Sequence, residues 1–299
     1  HSLTRVARWL FGLGLPLLSV WFIAQQITSG YESIGAILTE VHIPTLLWAT
    51  TCITTATMLG ALEWIWLVNA LGAQLDIVAG LKIHLLSNLT KYIPGFVWPY
   101  LGRAYLSTQM GISSSIAGLS LIIELAAIMI GGFALAFICV PFSNLISWSA
   151  GARASTEFII LIIIGLGFVV ANHSTLKLPH WKTLFDRAHL DLKCISWQNL
   201  FLACMAILLT WGILGMGFVF LYTALSSVQV NEAQLIIALV AAMLIGQLIV
   251  FVPLGMGVRE AILVAVLSPQ VSAATITVVA VLFRMIMMGG EILWALGGV

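Results

Sequence analysis

The sequence predicts an all-α polytopic membrane protein: six transmembrane helices plus two re-entrant helical hairpins in an inverted-topology repeat. Three observations predict it. First, 61% of the 299 residues are hydrophobic and only 8% are charged, with a mean hydropathy of +1.12. That is too few charges to cover a soluble globule of this size. Second, apolar runs exceed 20 residues, the length of a membrane-crossing helix, and lack the alternation of a transmembrane barrel strand. Third, two apolar stretches are broken by proline and glycine and then run into an arginine: Ile93-Pro94-Gly95 through Pro99 to Gly102-Arg103, and Val252-Pro253-Leu254-Gly255-Met256-Gly257-Val258-Arg259-Glu260. The breaks lie about 159 positions apart and their surroundings correspond. Asn88 and Gln247 each stand six residues before the proline; Ser113-Ser114-Ser115 matches Ser272-Ala273-Ala274, and Met129-Ile130-Gly131-Gly132 matches Met287-Met288-Gly289-Gly290. A repeat with a broken helix in each copy points to a transporter's binding site.

The elements follow in order. A first span over 6–27 is preceded by Arg5 and Arg8. This basic-then-apolar start also fits a signal peptide, but no small-x-small cleavage site follows, so an uncleaved helix is expected. Spans at 44–71 and 113–140 complete the first repeat, 1–140, and spans at 155–172, 198–225 and 271–297 belong to the second, 155–299. The segments 75–108 and 232–268 are apolar but split at the breaks. Their second arms, about 10 to 13 residues long, cover roughly 15 to 20 Å at 1.5 Å per residue, short of an approximately 30 Å hydrocarbon core. Each pair of arms reads as a re-entrant hairpin that enters and leaves on one side. Kinked spans or an amphipathic surface helix are the alternatives.

Loop charges set the orientation. Arg5, Arg8, Lys82, Lys91 and the basic loop 173–197, with Lys177, Lys182, Arg187 and Lys193, share one side, while Glu32, Glu40, Glu157, Glu232 and Arg153 lie on the other. The positive-inside rule places both termini in the cytoplasm of a cell whose cytoplasmic (inner) membrane holds the chain. Three spans plus one hairpin make an odd number of crossings, so the second repeat is inverted. The hairpins then enter from opposite faces and their tips meet near the midplane.

Seven charges fall at membrane depth: Glu63, Arg103, Glu124, Arg259, Glu260, Arg284 and Glu291. Facing lipid at roughly 2.5 to 3.5 kcal/mol each, they would cost on the order of 17 to 25 kcal/mol, more than a typical stability margin of about 5 to 15 kcal/mol. They must pair or line a wet cavity. Buried ion pairs that fix helix register are one reading of Glu63 and Glu291. Arg103 and Arg259 have a more specific one, because each follows a break and is expected at the start of a short arm. There the unpaired N–H groups and positive dipole end of a helix favour an anion, and the arginine fork suits phosphate or carboxylate. Gly95, Gly255 and Gly257 let the backbone approach closely, Asn88 and Gln247 offer neutral hydrogen bonds, and Trp98 stands beside the first break. Arg103, Arg259, Asn88, Gln247, Gly95, Gly255, Gly257 and Trp98 are therefore the candidate substrate-binding residues. Glu124, Glu260, Arg284, Glu291 and Glu63 are counter-ions or proton carriers, a choice the sequence leaves open.

At these residues the chain resembles a known family. Lys91-Tyr92, Pro94-Gly95 and Trp98, then Gly102-Arg103-Ala104-Tyr105-Leu106 and Gly111-Ile112, resemble the "KYxPGxxW…GRxYL…xGI" element of the lysylphosphatidylglycerol synthase transmembrane family. That flippase-like family includes the membrane half of the multiple peptide resistance factor and many stand-alone bacterial and archaeal proteins. Ser120-Leu121 and Glu124 resemble its "SLxxE" helix, and the stretch from Val252 to Ala261 resembles its "PGGLGxREA" element, departing at Leu254 and Met256 where glycine and leucine are usual. The resemblance runs from about residue 40 to the end and implies translocation of a polar-headed lipid. It does not carry synthase activity over, because no soluble aminoacyl-transfer domain is present in these residues.

Other signals narrow the function further. A net charge of +1 gives no support for nucleic-acid binding, and the four cysteines, Cys52, Cys139, Cys194 and Cys204, form no CxxC pair. No cofactor or metal motif occurs. Gly212, Gly215 and Gly217 are expected to permit close helix packing. The expected partner is a membrane lipid with an anionic headgroup, phosphate-bearing, flipped through a midplane cavity between the hairpins. The alternative is a membrane-embedded accessory or transferase subunit that presents a lipid to a separate enzyme. An enzyme requires a nucleophile or metal constellation, and none is found. A homo-oligomer or a lipid-modifying enzyme partner stays open.

Overall fold

The computed structural model describes residues 41–90, 98–143, 196–248 and 257–297. These form eight α-helices: α1 Ile43–Ala70, α2 Ile77–Leu89, α3 Trp98–Gln109, α4 Ser114–Cys139, α5 Trp197–Leu225, α6 Glu232–Leu248, α7 Val258–Leu267 and α8 Ala273–Gly297, with a 3₁₀ turn Val140–Phe142 after α4. The expected spans 44–71, 113–140, 198–225 and 271–297 are α1, α4, α5 and α8, each long and apolar enough to cross a membrane. The described parts of the two proline-glycine segments are α2 and α3 in the first and α6 and α7 in the second. The expected spans 6–27 and 155–172, most of the basic loop, Gly95 and Gly255 lie outside the described residues.

Local chemistry explains where the helices start. Asp76 accepts hydrogen bonds from the N–H groups of Val78 and Ala79 at 2.9 and 3.4 Å and so starts α2. Ser113, Ser196 and Ser272 accept from Ile116, Asn199 and Thr275 at the starts of α4, α5 and α8. Each removes one of the donors a helix N-terminus leaves unpaired. The turn between α1 and α2 is fixed by Asn69, which donates to the Leu75 carbonyl at 2.9 Å and accepts from the Leu75 N–H at 2.7 Å.

Packing joins the helices through small residues. A Cβ on Gly217 of α5 would stand 2.8 Å from Ile53 Cγ1 of α1, and one on Gly290 of α8 would stand 2.8 Å from Thr54 Cγ2. Gly215 meets Ile236 in the same way at 3.3 Å, whereas among the described residues none comes within 4 Å of a Cβ on Gly212. Trp211 of α5 donates its indole N–H to the Ile128 carbonyl of α4 at 3.1 Å, and Trp294 of α8 donates to the Thr54 carbonyl of α1 at 3.0 Å. Large apolar side chains such as Trp48, Ile122, Ile130 and Phe133 stay exposed, the surface expected of helices solvated by lipid tails.

The pattern of contacts is symmetric between the halves. Exchange α1 with α5, α2 with α6, α3 with α7 and α4 with α8. The contacts α1–α2, α2–α3, α3–α4, α1–α4, α1–α8 and α2–α8 become α5–α6, α6–α7, α7–α8, α5–α8, α4–α5 and α4–α6, all of which occur. The most extensive interface, α1–α5, maps onto itself.

Candidate functional site

All eight described helices contribute to one cavity of about 280 Å³. Helical spacing delivers the lining in sets: Ala56, Gly60 and Glu63 from α1, His84 and Asn88 from α2, Glu124 and Ile128 from α4, Met243 with Gly246 and Gln247 from α6, Met287 and Glu291 from α8. Residues three, four or seven apart share a helix face. Tyr100 and Arg103 enter from α3, Thr210 and Trp211 from α5, and Arg259 from α7. The volume corresponds to roughly nine waters, room for a compact polar group and not for two acyl chains.

The two arginines differ sharply. Arg103 is 3% exposed and every one of its nitrogens has a partner. Its Nη1 donates to both Glu124 oxygens at 2.6 and 2.8 Å, Nη2 to Asn88 Oδ1 at 2.8 Å, and Nε to Ser87 Oγ at 3.3 Å. The guanidinium carbon also lies 5.2 Å from the centre of the Trp64 ring, within cation–π range. Asn88 is occupied in turn, because its amide nitrogen lies 3.1 Å from His84 Nε2. Arg103 is the sixth residue of α3 rather than a member of its first turn, so the expectation that it stands at a helix N-terminus is corrected. The helix already includes Trp98, and the side chain works across to Glu124 of α4.

Arg259, by contrast, is the second residue of α7, as expected. Its Nε is buried without a hydrogen-bond partner. The side chain lies over Gly246, where an added Cβ would come within 2.6 Å of Arg259 Cγ and 2.9 Å of Nε. Glycine is required there to let the arginine cross α6. Two further buried polar atoms on the cavity wall, Glu63 Oε1 and Thr210 Oγ1, also have no hydrogen-bond partner. Gln247 reaches the Tyr100 hydroxyl at 3.5 Å, a long contact that joins α6 to α3 across the cavity.

The neighbouring Glu260 turns away from the cavity. One oxygen accepts from the Gly257 N–H at 2.7 Å and the other lies 2.9 Å from Arg284 Nη2 of α8. Glu260 therefore caps α7 and neutralises Arg284, and neither residue lines the cavity. Gly257 has φ +80, a left-handed conformation that explains glycine at this position, but its N–H is spent on Glu260. Trp98 is 49% exposed and stands off the cavity wall. Of the expected site residues, the cavity thus brings together Asn88, Arg103, Gln247, Arg259, Glu63, Glu124 and Glu291. Missed from sequence were Gly246, Tyr100, His84, Thr210, Trp64 and Trp211. Helical spacing was the available signal for two of them: His84 is four before Asn88 and Tyr100 three before Arg103. Among the described residues no group of three His, Cys, Asp or Glu is arranged to hold a metal.

The chain matches the model of the lysylphosphatidylglycerol synthase TM region over residues 9–293. It belongs to that family. Membership covers both halves of the contact pattern and makes the chain a multi-pass membrane protein, in agreement with its four long apolar helices. The elements that carry the resemblance reach the cavity of this lysylphosphatidylglycerol synthase TM-region protein through Arg103 and Glu124, from the first element and its following helix, and Arg259 from the second. No curated protein gives a match.

Proposed function

We propose that the protein flips a lipid with an anionic, phosphate-bearing headgroup across the cytoplasmic membrane, with the headgroup passing through the cavity and the acyl chains staying in lipid. The observation that carries this reading is the unequal state of the two arginines. Arg103 is neutralised by Glu124 and hydrogen-bonded to Asn88, so Arg259, with a buried uncommitted Nε, is the receptor for the anion. Its guanidinium offers the planar fork that phosphate oxygens accept. Thr210 and Gln247 supply neutral hydrogen bonds, and Arg103 with Glu124 forms a fixed polar wall.

The symmetric contact pattern supports an inverted repeat in which α2–α3 and α6–α7 are re-entrant hairpins entering from opposite sides, with six spans in all and both termini cytoplasmic. α3 has 12 residues and α7 has 10, about 18 and 15 Å long. Neither crosses the hydrocarbon alone. A cavity shared by both hairpins is what alternating access around a fixed midplane site requires.

A second reading, a membrane subunit that presents a lipid to a separate enzyme, draws support from the family's description as the TM region of a synthase. The two readings separate in a purified system. Under the flippase reading, the chain alone in vesicles accelerates exchange of short-chain labelled phosphatidylglycerol between leaflets. A rate equal to that of protein-free vesicles, together with lipid retained on the purified chain, favours the second.

A further inference from the structure

Four carboxyl groups lie at membrane depth in the described helices, and three are committed to interactions. Glu124 holds Arg103 through both oxygens. Glu260 holds Arg284 and the Gly257 N–H. Glu291 also interacts with other groups. Glu63 is different. It is 3% exposed on α1, it lines the cavity, and its Oε1 is buried with no hydrogen-bond partner. A lone carboxylate in such a place loses its hydration without gaining a counter-ion, whereas the neutral acid avoids most of that cost.

Resting on the flippase reading, we infer that Glu63 is a proton-binding site that couples lipid movement to the transmembrane proton gradient. The step is simple. The Glu63 carboxylate takes a proton from water on one side, forming an O–H bond, and returns it to water on the other side after the cavity has changed its access. No other bond forms or breaks.

The surroundings set the sign of the coupling. Arg103 of α3 and Glu124 of α4 act directly on Glu63, as does Glu63 on Cys204 of α5, and the other titratable groups on the cavity wall are His84 of α2, Tyr100 of α3, Arg259 of α7 and Glu291 of α8. From α6 the wall is uncharged, with Met243, Gly246 and Gln247. Arg103 is already matched to Glu124. An anion arriving at Arg259 adds a negative charge to the cavity that Glu63 also lines and makes the charged form of Glu63 less favourable. Anion and proton bind together, and each raises the affinity for the other by the same factor. The headgroup and proton then move in the same direction, and lipid binding tightens as pH falls.

Two readouts test this on the purified full chain. In infrared difference spectra recorded against pH, the wild type shows a protonated-carboxyl band that is absent from Glu63→Gln and shifted in Glu63→Asp. A Glu63→Gln spectrum identical to the wild type overturns the inference. If Glu63→Gln does not fold, an unshifted band in Glu63→Asp overturns it instead. In vesicles carrying labelled phosphatidylglycerol, an imposed pH gradient changes the wild-type transport rate severalfold, and the response is lost in Glu63→Gln. A retained gradient response in Glu63→Gln also overturns it. If the wild type moves no lipid while its band disappears in Glu63→Gln, the flippase reading fails and Glu63 remains supported as a proton site.

Discussion

Arg103 and Arg259 enter the same cavity under different electrostatic conditions, and their substitutions separate accordingly. Removing Glu124 leaves Arg103 buried without its main counter-charge, since Asn88 and Ser87 contribute only neutral oxygens. Glu124→Ala is predicted to destabilise the protein by about 3 to 5 kcal/mol, read as a large fall in the thermal unfolding midpoint in detergent. Arg103→Met combined with Glu124→Leu removes both charges and is predicted to recover most of that loss. If the double variant is as unstable as the single one, the pair is not the source of the cost. Gly246→Ala tests the other arginine: its methyl group would meet the Arg259 side chain at 2.6 Å, so the arginine is displaced, transport falls and stability drops by about 1 to 3 kcal/mol. Sequence identified both arginines and all the acids of the site, because a charge in an apolar run is conspicuous. It did not reveal which arginine is neutralised. Arg103 and Glu124 are 21 positions apart, and that distance is closed only by the packing of α3 on α4.

The broken helices depend on a few backbone positions. Gly257 at φ +80 precedes α7, and any residue with a Cβ there pays about 1 to 2 kcal/mol for the left-handed conformation. Gly257→Ala is predicted to lower stability by that amount and to disturb the Glu260 cap and with it the Arg284 pair, visible as a lower unfolding midpoint. Gly217→Val overpacks the α1–α5 interface, where Ile53 backbone nitrogen would stand 3.2 Å from the new Cβ. A loss of about 1 to 3 kcal/mol is expected. The helices themselves were legible within one or two residues, as 44–71 against Ile43–Ala70 and 198–225 against Trp197–Leu225 show. Apolar length and the proline, glycine and serine punctuation carry that information. The role of Gly212 was not legible, because a glycine has the same composition signal whether or not a neighbouring helix approaches it.

At the scale of the whole molecule, the proposed inverted arrangement is what the loop charges predict, and the exchange symmetry of helix contacts is compatible with it. Under it, a cysteine placed at Gln109, at the end of α3, reacts with a membrane-impermeant thiol reagent from the cytoplasmic side. One placed at Ser227, between α5 and α6, reacts from the outside. Reaction of both from the same side contradicts the inversion. The sequence signal for the proposed repeat is the pair of matching breaks about 159 positions apart. The meeting of all eight helices at one cavity was not visible in sequence, since it depends on crossing angles and rotations that no single segment encodes. The claim that joins these scales is that Arg259 receives the headgroup while Arg103 is held by its own partners. It is tested most directly by the leaflet-exchange rate of labelled phosphatidylglycerol in vesicles containing wild type or Arg259→Ala at matched protein content. Loss of one charge-assisted contact worth about 1.5 to 3 kcal/mol predicts a rate lower by roughly ten- to hundredfold, with an unchanged unfolding midpoint. An Arg259→Ala rate equal to that of the wild type contradicts it.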